Sequence, residues 1–489
     1  MKKFLGVIII PAIFLLSIYL ILKIPKPAKL DIDQNQIISE LENSEEWLGI
    51  FLQGQRIGYS FTTITKADTG VFVENRSRMS LMMMNAQRTV DTHIYSHTDP
   101  DFVLKEFKLH LETMGHESRV EGIVEGNKLH LTAYSQGIPY TQTVDLKEKP
   151  YLPTAIEEVI KKKNMKPGDE ITIPYFDPTT QSSTRANIKV LDKEKVTVFG
   201  KEYTGLRVEI NVMGLSEIAW FDDNFKLIKR TSPAMGMEMI PLSKQEALAD
   251  IQPADAFDLL SFFSVKTDRP IGDVEKLTYL KLKLKDITVA DLDLEDDYQK
   301  LIDTEPIVIE FHLPKISELP ELSAPISEYD EFLKSSLYIQ CENSEIIAKA
   351  KEIVGDEKNA KKIVAKLVTG VYEMLDRNPT ASLPSAIDVL KTKEGDCNEH
   401  AVLFAALARA QGIPTKIYVG LVNLQGSAYF YHAWCAVWLG KWVPVDPTFN
   451  QFPADVGHLK MKEGEVSEWA KVLKVVGKLQ ISVLDSGLK

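Results

Sequence analysis

The chain has 489 residues, 44% hydrophobic and 26% charged, with a net charge of −12. That length exceeds what one hydrophobic core supports and predicts two or three domains, while the composition excludes a disordered or fibrous chain. The acidic balance excludes a general nucleic-acid binder, because no concentrated basic face is offered to phosphates.

The chain opens MKKFLGVIIIPAIFLLSIYLILKIPKPAK. Lys2 and Lys3 precede a run from Phe4 to Leu22 without a charge, long enough as a helix to match a bilayer's hydrocarbon core. A cleaved signal peptide is the alternative. The apolar run exceeds the usual h-region of about 7–15 residues and no small-x-small cleavage site follows it. Residues 1–24 therefore read as a single-pass transmembrane signal anchor. Lys23, Lys26 and Lys29 rival the leading lysines in setting orientation, and the expected placement of the body is outside the cytoplasm.

Residues 31–265 predict a large antiparallel β domain. EWLGIFLQGQRIGYSFTTI reads as two strands around Gln53-Gly54-Gln55, with Gly58 interrupting the second. In DFVLKEFKLHLET, Leu104, Phe107, Leu109 and Leu111 fall mostly two apart, giving one apolar face. Further runs, including TRANIKVL and KVTVFG, read as separate strands broken by turn residues. One helix starts at Pro153, where a first-turn proline belongs. Such a sheet could hold a lipid or peptide, with a plain structural or interaction role as the simpler reading. Residues 270–340 read as a smaller β module. Its acidic run DLDLEDDYQK lacks the ligand spacing and central glycine of a calcium loop and reads as a solvated loop.

From residue 341 the pattern turns helical. Ile363, Leu367, Val371 and Leu375 mark one helix face. In KEGDCNEHAVLFAALARAQGIP, Asp396 is an N-cap and Glu399 completes a capping box. Val402, Leu403, Ala406, Leu407 and Ala410 form an apolar stripe, and Gly412 ends the helix before Pro414. Cys397 thus occupies the first helical position, where unpaired N–H groups and the helix dipole favour a thiolate. The simpler alternative is a small buried residue opening a helix. The chain has only three cysteines, Cys341, Cys397 and Cys435, and the odd count leaves at least one thiol free.

Downstream, SAYFYHAWCAVWLGKWVPVDPTFNQ reads as an aromatic-rich hairpin with His432 on the first strand and Asp446 on the second. A thiol nucleophile needs a base, and the base an orienting group; Cys397, His432 and Asp446 could fill these roles. A two-residue turn at Gly440-Lys441 would place Asp446 on the wrong face for His432. A three-residue loop, Leu439-Gly440-Lys441, pairs Trp438 with Trp442 and brings His432 and Asp446 to one face, so the mechanism requires the longer loop or a bulge. Cys397, His400, His432 and Cys435 also offer a two-Cys, two-His zinc set. On a strand, however, His432 and Cys435 point to opposite faces, so neither metal nor cofactor is expected. Trp434, Trp438 and Trp442 read as core residues more readily than as a cleft lining.

GDCNEHAVLFAALARAQGIPTKIYVG followed by YHAWCAVWLGKWVPVDPT resembles the core of the transglutaminase-like superfamily, a papain-related cysteine fold. The resemblance covers roughly residues 340–460; the β region and anchor are more weakly similar to membrane-attached bacterial members. It implies an α+β catalytic domain over 341–489 with Cys397 as nucleophile, His432 as general base and acid, and Asp446 as its orienter. It also implies an oxyanion hole made by the Cys397 N–H and a second donor from the stretch around Ala381 to Leu390. The implied chemistry is acyl transfer on a protein or peptide amide, by hydrolysis or by transglutaminase-type cross-linking. A non-catalytic binding module on the same fold is the alternative.

Overall fold

The computed structural model describes residues 43–488 except 84–85, 114–115, 136, 180, 213, 251–263, 291, 378–384, 425, 470–471, 473–474 and 476. The expected anchor at residues 1–24 lies outside them. Among the described residues no helix is long and apolar enough to cross a membrane. The chain is α+β, with 50% strand against 19% helix, so antiparallel sheets carry the architecture. The described residues divide into two compact units, one before residue 258 and one after it.

The first unit is a 14-stranded sheet that begins with β1 (Asn43–Leu52) and β2 (Gln55–Ala67). Across the sheet the order runs from β8 (Ile138–Asp145) down to β1, then from β14 (Met237–Pro241) down to β9 (Glu170–Asp177). Leu52 pairs with Gln55, so Gln53 and Gly54 form a two-residue turn, both with positive φ. That twist matches the flanking strands. Contrary to the sequence expectation, β2 runs through Gly58. The glycine serves close approach, since a Cβ there would lie 2.3 Å from the Arg78 carbonyl oxygen. TRANIKVL and KVTVFG likewise join in one strand, β10 (Ser182–Val198). Its register shifts between Val190 and Lys193, so a bulge absorbs the charged residues that read as a break.

Pro153 opens a 3₁₀ turn, Pro153–Ala155, that leads into α1 (Ile156–Lys162). Ile156 and Ile160 pack with Leu48, Ile188, Val208 and Phe221, while Ala155 and Val159 pack with Val71, Val73 and Phe102. Burial of each large side chain contributes about 1.5–3 kcal/mol, so this short helix is held by both halves of the sheet and not by its own propensity. A five-residue helix, α2 (Lys244–Leu248), follows the last strand, with a capping box from Ser243 and Glu246.

The second unit holds two sheets. β16 (Tyr279–Lys285), β17 (Gln299–Thr304) and β18 (Ile307–His312) take β23 (Gln480–Gly487) as their fourth strand, so the 270–340 stretch is completed by the C-terminal end. The acidic run is engaged in packing. Asp293 accepts from Lys462 and the Glu463 N–H, Asp296 from the Tyr298 and Gln299 N–H groups, and Asp297 from the Trp442 N–H. The other sheet contains β15 (Val265–Lys266), β19 (Thr415–Leu424), β20 (Ala428–Trp438), β21 (Trp442–Val445) and β22 (His458–Glu463). Gly420 lets β19 and β22 close up; a Cβ there would lie 2.0 Å from the Leu459 carbonyl oxygen.

Helices α3 (Ser344–Val354), α4 (Ala360–Met374) and α5 (Ala386–Thr392) pack around α6 (Cys397–Ala410), which also rests on β19 and β20. The apolar stripe expected on α6 understates its position. Every residue from Cys397 to Arg409 is buried, as in a helix enclosed on all sides. A four-residue helix, α7 (Val466–Trp469), follows β22.

Candidate active site

The site begins with the start of α6. The Asp396 side chain accepts from the Asn398 N–H at 3.1 Å, and the Glu399 carboxylate accepts from the Asp396 N–H at 3.0 Å. Gly395 permits this entry: its φ is +156°, and a Cβ would fall 2.2 Å from Glu399 Cβ. Cys397 is therefore fixed at the first helical position, fully buried.

β20 supplies the second element. β19 runs along one of its edges, so β15, paired at residues 428–429, and β21, paired at 435–438, share the other. Between them residues 430–434 have no named strand on that edge, among the described residues. The Ala433 backbone amide, on that stretch, acts on the Cys397 thiol and favours its charged form. His432 is the adjacent residue.

The β20–β21 connection is the three-residue loop. Trp438 pairs with Trp442, Cys435 with Val445, and the Leu439 N–H donates to the Lys441 carbonyl at 2.9 Å. Gly440 takes the positive φ of 85° that the loop needs. In this register His432 Nε2–H donates to Asp446 Oδ2 at 2.7 Å, with both side chains inaccessible to solvent. Asp446 is held in turn: Oδ1 accepts from the Thr448 N–H at 2.7 Å, and its backbone exchanges two hydrogen bonds with Gln451. Because the carboxylate takes the Nε2 proton, the neutral ring carries its lone pair on Nδ1. Nδ1 is buried and has no hydrogen-bond partner. That nitrogen is available to a base's work.

The titrations depart from the simplest helix-dipole argument. Burial pushes the Cys397 thiol well above its usual range, and the Asp396 charge adds to it, against the Ala433 N–H. The carboxylates of the capping box that fixes the helix start thus act on the thiol against the helix dipole. His432 is pushed down by burial, against the pull of Asp446. Asp446 would rise on burial, but His432 and His458 hold it far below the carboxylate range. Burial thus favours the neutral form of both the Cys397 thiol and the His432 imidazole.

The remaining sequence candidates separate. Cys435 is buried on the α6 side of β20, its Sγ–H donating to the Ala401 carbonyl at 3.3 Å. His400 donates from Nδ1 to the Asp396 carbonyl at 2.6 Å and is held neutral by burial, its pKa pushed down to about 4. The four-residue zinc set is not gathered. Among the described residues the only group of three or more His, Cys, Asp or Glu side chains with polar atoms within 4.8 Å of one another is His432, Asp446 and His458. Its nitrogen–oxygen separations of 2.7 and 3.0 Å are hydrogen-bond distances. Trp434 and Trp442 lie in a core cluster with Tyr418 and Ala436, and Trp438 packs against it. Trp434 nevertheless stacks on His432 at 5.9 Å between centroids, opposite Phe449 at 5.1 Å. All three cysteines are free and buried. Of the stretch expected to hold the second oxyanion donor, Ala381–Pro384 lie outside the described residues, and Ala386–Leu390 belong to α5.

A cysteine at the start of α6 and a hydrogen-bonded His–Asp pair on the sheet that α6 packs against are elements that the sequence resemblance implies. The model of the transglutaminase-like superfamily matches residues 347–447, spanning α3 to Asp446. Residues 347–447 form a transglutaminase-like domain.

The match covers about a fifth of the chain and does not reach the 14-stranded unit. No curated protein matches the chain. Among solved structures, a candidate cysteine protease of Cytophaga hutchinsonii shares 17% identity over 43% of this chain and 86% of its own, with a TM-score of 0.29. A β-barrel-like protein of Brucella abortus, from a domain family of unknown function, shares 15% over 41% of this chain and 95% of its own, at 0.32. A second candidate protease, from Parabacteroides distasonis, shares 11% over 72% of this chain and 67% of its own, at 0.21. At such scores none of these likenesses bears on chemistry.

Beyond the matched span, the second unit contains two residues that sequence reasoning passed over. His458 Nε2 lies 3.0 Å from the same Asp446 Oδ2, and its Nδ1 lies 3.1 Å from Asp455 Oδ1. The available signal was weak. His458 alternates with Lys460 and Lys462 in HLKMKE, a pattern that assigns all three to a solvent face, yet His458 and Lys460 are buried.

Proposed function

We propose that this protein is a cysteine acyl-transfer enzyme acting on protein or peptide amides, anchored by residues 1–24 with its body outside the cytoplasm. The observation that carries the reading is the free, buried Nδ1 of a histidine held by Asp446, one residue from the backbone amide that acts on the Cys397 thiol.

In this reading the Cys397 thiol proton passes to His432 Nδ1 as Sγ attacks the amide carbonyl, with the Cys397 backbone N–H facing the developing oxyanion. His432 returns the proton to the departing amine, leaving a thioester on Cys397. Water, deprotonated by His432, then attacks the thioester; carboxylate is released and the thiol restored. Asp446 keeps Nε2 protonated and stabilises the imidazolium formed in both steps. Hydrolysis is favoured over cross-linking, because transfer to an amine requires a site shielded from abundant water, and no residues are assigned to one. The anchor rests on the charge-free run from Phe4 to Leu22. Protection of the body from protease added to intact cells would contradict its placement.

One observation favours the second reading, a non-catalytic binding module: Cys397 is fully buried with its thiol held neutral. An assay of the full chain on unfolded protein, with a labelled primary amine present, separates the readings. Hydrolysis predicts ammonia or new chain ends without label in the protein. Label incorporation would replace hydrolysis with cross-linking, and no product of either kind would favour the binding module.

A further inference from the structure

Asp446 has two histidines on one oxygen, and a catalytic orienter needs only one. His458 is enclosed: its side chain is 2% exposed, and its ring packs against Trp434 at 5.2 Å and His432 at 5.8 Å between centroids. Both of its nitrogens face oxygens. Nε2 meets Asp446 Oδ2, and Nδ1 meets Asp455 Oδ1 and the Asp455 carbonyl, each at about hydrogen-bond distance. A carboxylate can only accept, so each nitrogen must donate, and a ring donating from both is an imidazolium. Asp455 is itself braced, with the Gly457 N–H on Oδ1 at 2.8 Å and Gln451 Nε2 on Oδ2 at 2.8 Å. The cation is therefore built in between two fixed anions.

We propose that His458 is a positioning residue of the site, a permanent imidazolium that shares Asp446 with His432 and keeps His432 a neutral base at working pH. The argument rests on the reading of His432 as base. With only the carboxylates Asp446 and Asp455 acting on it, His432 would gain proton affinity and be occupied by a proton as pH falls. The charge of His458 cancels part of that pull, leaving Asp446 to orient the ring without protonating it. Other charged or titratable groups face the site from α6 and its neighbours: Cys397, Asp396, Glu399 and His400, with Arg377 acting on His400. None of these is hydrogen-bonded to either nitrogen of His432. Burial would push His458 down, yet Asp455 and Asp446 override it and raise it to about 10, in keeping with the geometry.

The linked stability has a definite sign. A histidine whose folded pKa exceeds its unfolded value stabilises fully below the unfolded value, about 6.5, and loses that contribution as pH rises towards about 10.

The test uses the full chain with ¹⁵N-labelled histidine, followed by NMR from pH 5 to 9.5, with His458→Gln for assignment and for kinetics. The expected result is one histidine, lost in His458→Gln, with both nitrogens protonated through pH 8. Titration of that signal at or below pH 6.5, or a nitrogen whose state changes on adding EDTA, would overturn the proposal; the second outcome would mean bound metal. In kinetics the acid limb of kcat/KM should move up by about one pH unit in His458→Gln, roughly a tenfold loss on that limb. A purely structural role would lower the whole profile without moving the limb, and that result would also overturn the proposal. If His458→Gln does not fold, the wild-type titration still decides, with the other histidines assigned by single substitution. Retention of activity by Cys397→Ser would defeat the triad reading instead, and would leave the state of His458 unaffected.

Discussion

Exchanging Cys397 for serine is expected to reduce amide turnover by at least about 10³-fold with little change in stability. The two side chains are nearly isosteric, and the Ala433 N–H retains an acceptor. What changes is the reacting atom. His432 is a neutral imidazole pushed down by burial, a base suited to a thiol and weak towards an alcohol. Unfolding of the two proteins, followed by circular dichroism, should give midpoints within a few degrees of each other, since a buried change of this kind costs about 1 kcal/mol. Unchanged turnover at matched fold would remove Cys397 from the mechanism.

Exchanging Asp446 for asparagine should be costlier, because it acts on chemistry and on folding together. The Thr448 N–H holds the amide oxygen at the Oδ1 position, so the NH₂ takes the place of Oδ2 and faces both imidazoles. His432 is then driven to donate from Nδ1 and accept at Nε2, the wrong tautomer for taking the thiol proton. The same change in a Ser–His–Asp triad costs about 10⁴-fold, and a loss of that order in kcat is expected here. The second consequence comes from His458, whose imidazolium keeps only Asp455. Leaving a buried charge under-compensated costs about 3–5 kcal/mol, which should appear as a lower urea midpoint at constant slope. Glutamate at 446 would not rescue either effect, since Asp446 is fully buried and one methylene displaces the shared oxygen. An Asp446→Asn protein with wild-type turnover and midpoint would show that the carboxylate neither orients nor compensates.

The start of α6 was legible because capping is local chemistry. Asp396, Glu399 and Gly412 identify both ends of the helix within a few residues of chain, and both hold in the structure. The hairpin could be reduced to two registers by the period of a strand, but only the loop decides between them. Gly440 permits three residues as readily as two; in the loop formed, a Cβ at that position would lie 2.4 Å from the Pro320 ring. What could not be read was burial. The sequence places a thiol at a helix dipole and leaves open a reactive thiolate or a small buried residue; the structure buries it, and burial with the charges of Asp396 and Glu399 raises its pKa. The same gap hid His458. An alternating HLKMKE strand assigns its histidine to solvent, whereas β22 is covered on both faces and its polar residues are satisfied by distant partners, Asp446 for His458 and the Glu295 carbonyl for Lys460. Local rules find caps and turns. Partners 12 to 165 residues away are set by topology.

The large sheet presents the converse case. Its alternation was plain in Leu104, Phe107, Leu109 and Leu111, all of them buried on one face. Strand breaks were harder, because a bulge and a break have the same composition: both carry charged or glycine residues where the alternation slips. β10 and the Gly58 region of β2 are continuous because their neighbours supply backbone partners across the irregularity.

The most direct test of the account is the intact mass of the full chain, quenched in acid during turnover of a peptide amide and then mapped by proteolysis. The account predicts an acyl adduct on Cys397 that disappears as substrate is exhausted and is absent from Cys397→Ser. An adduct on another residue, or continued turnover with no adduct when Cys397 is replaced, would contradict it.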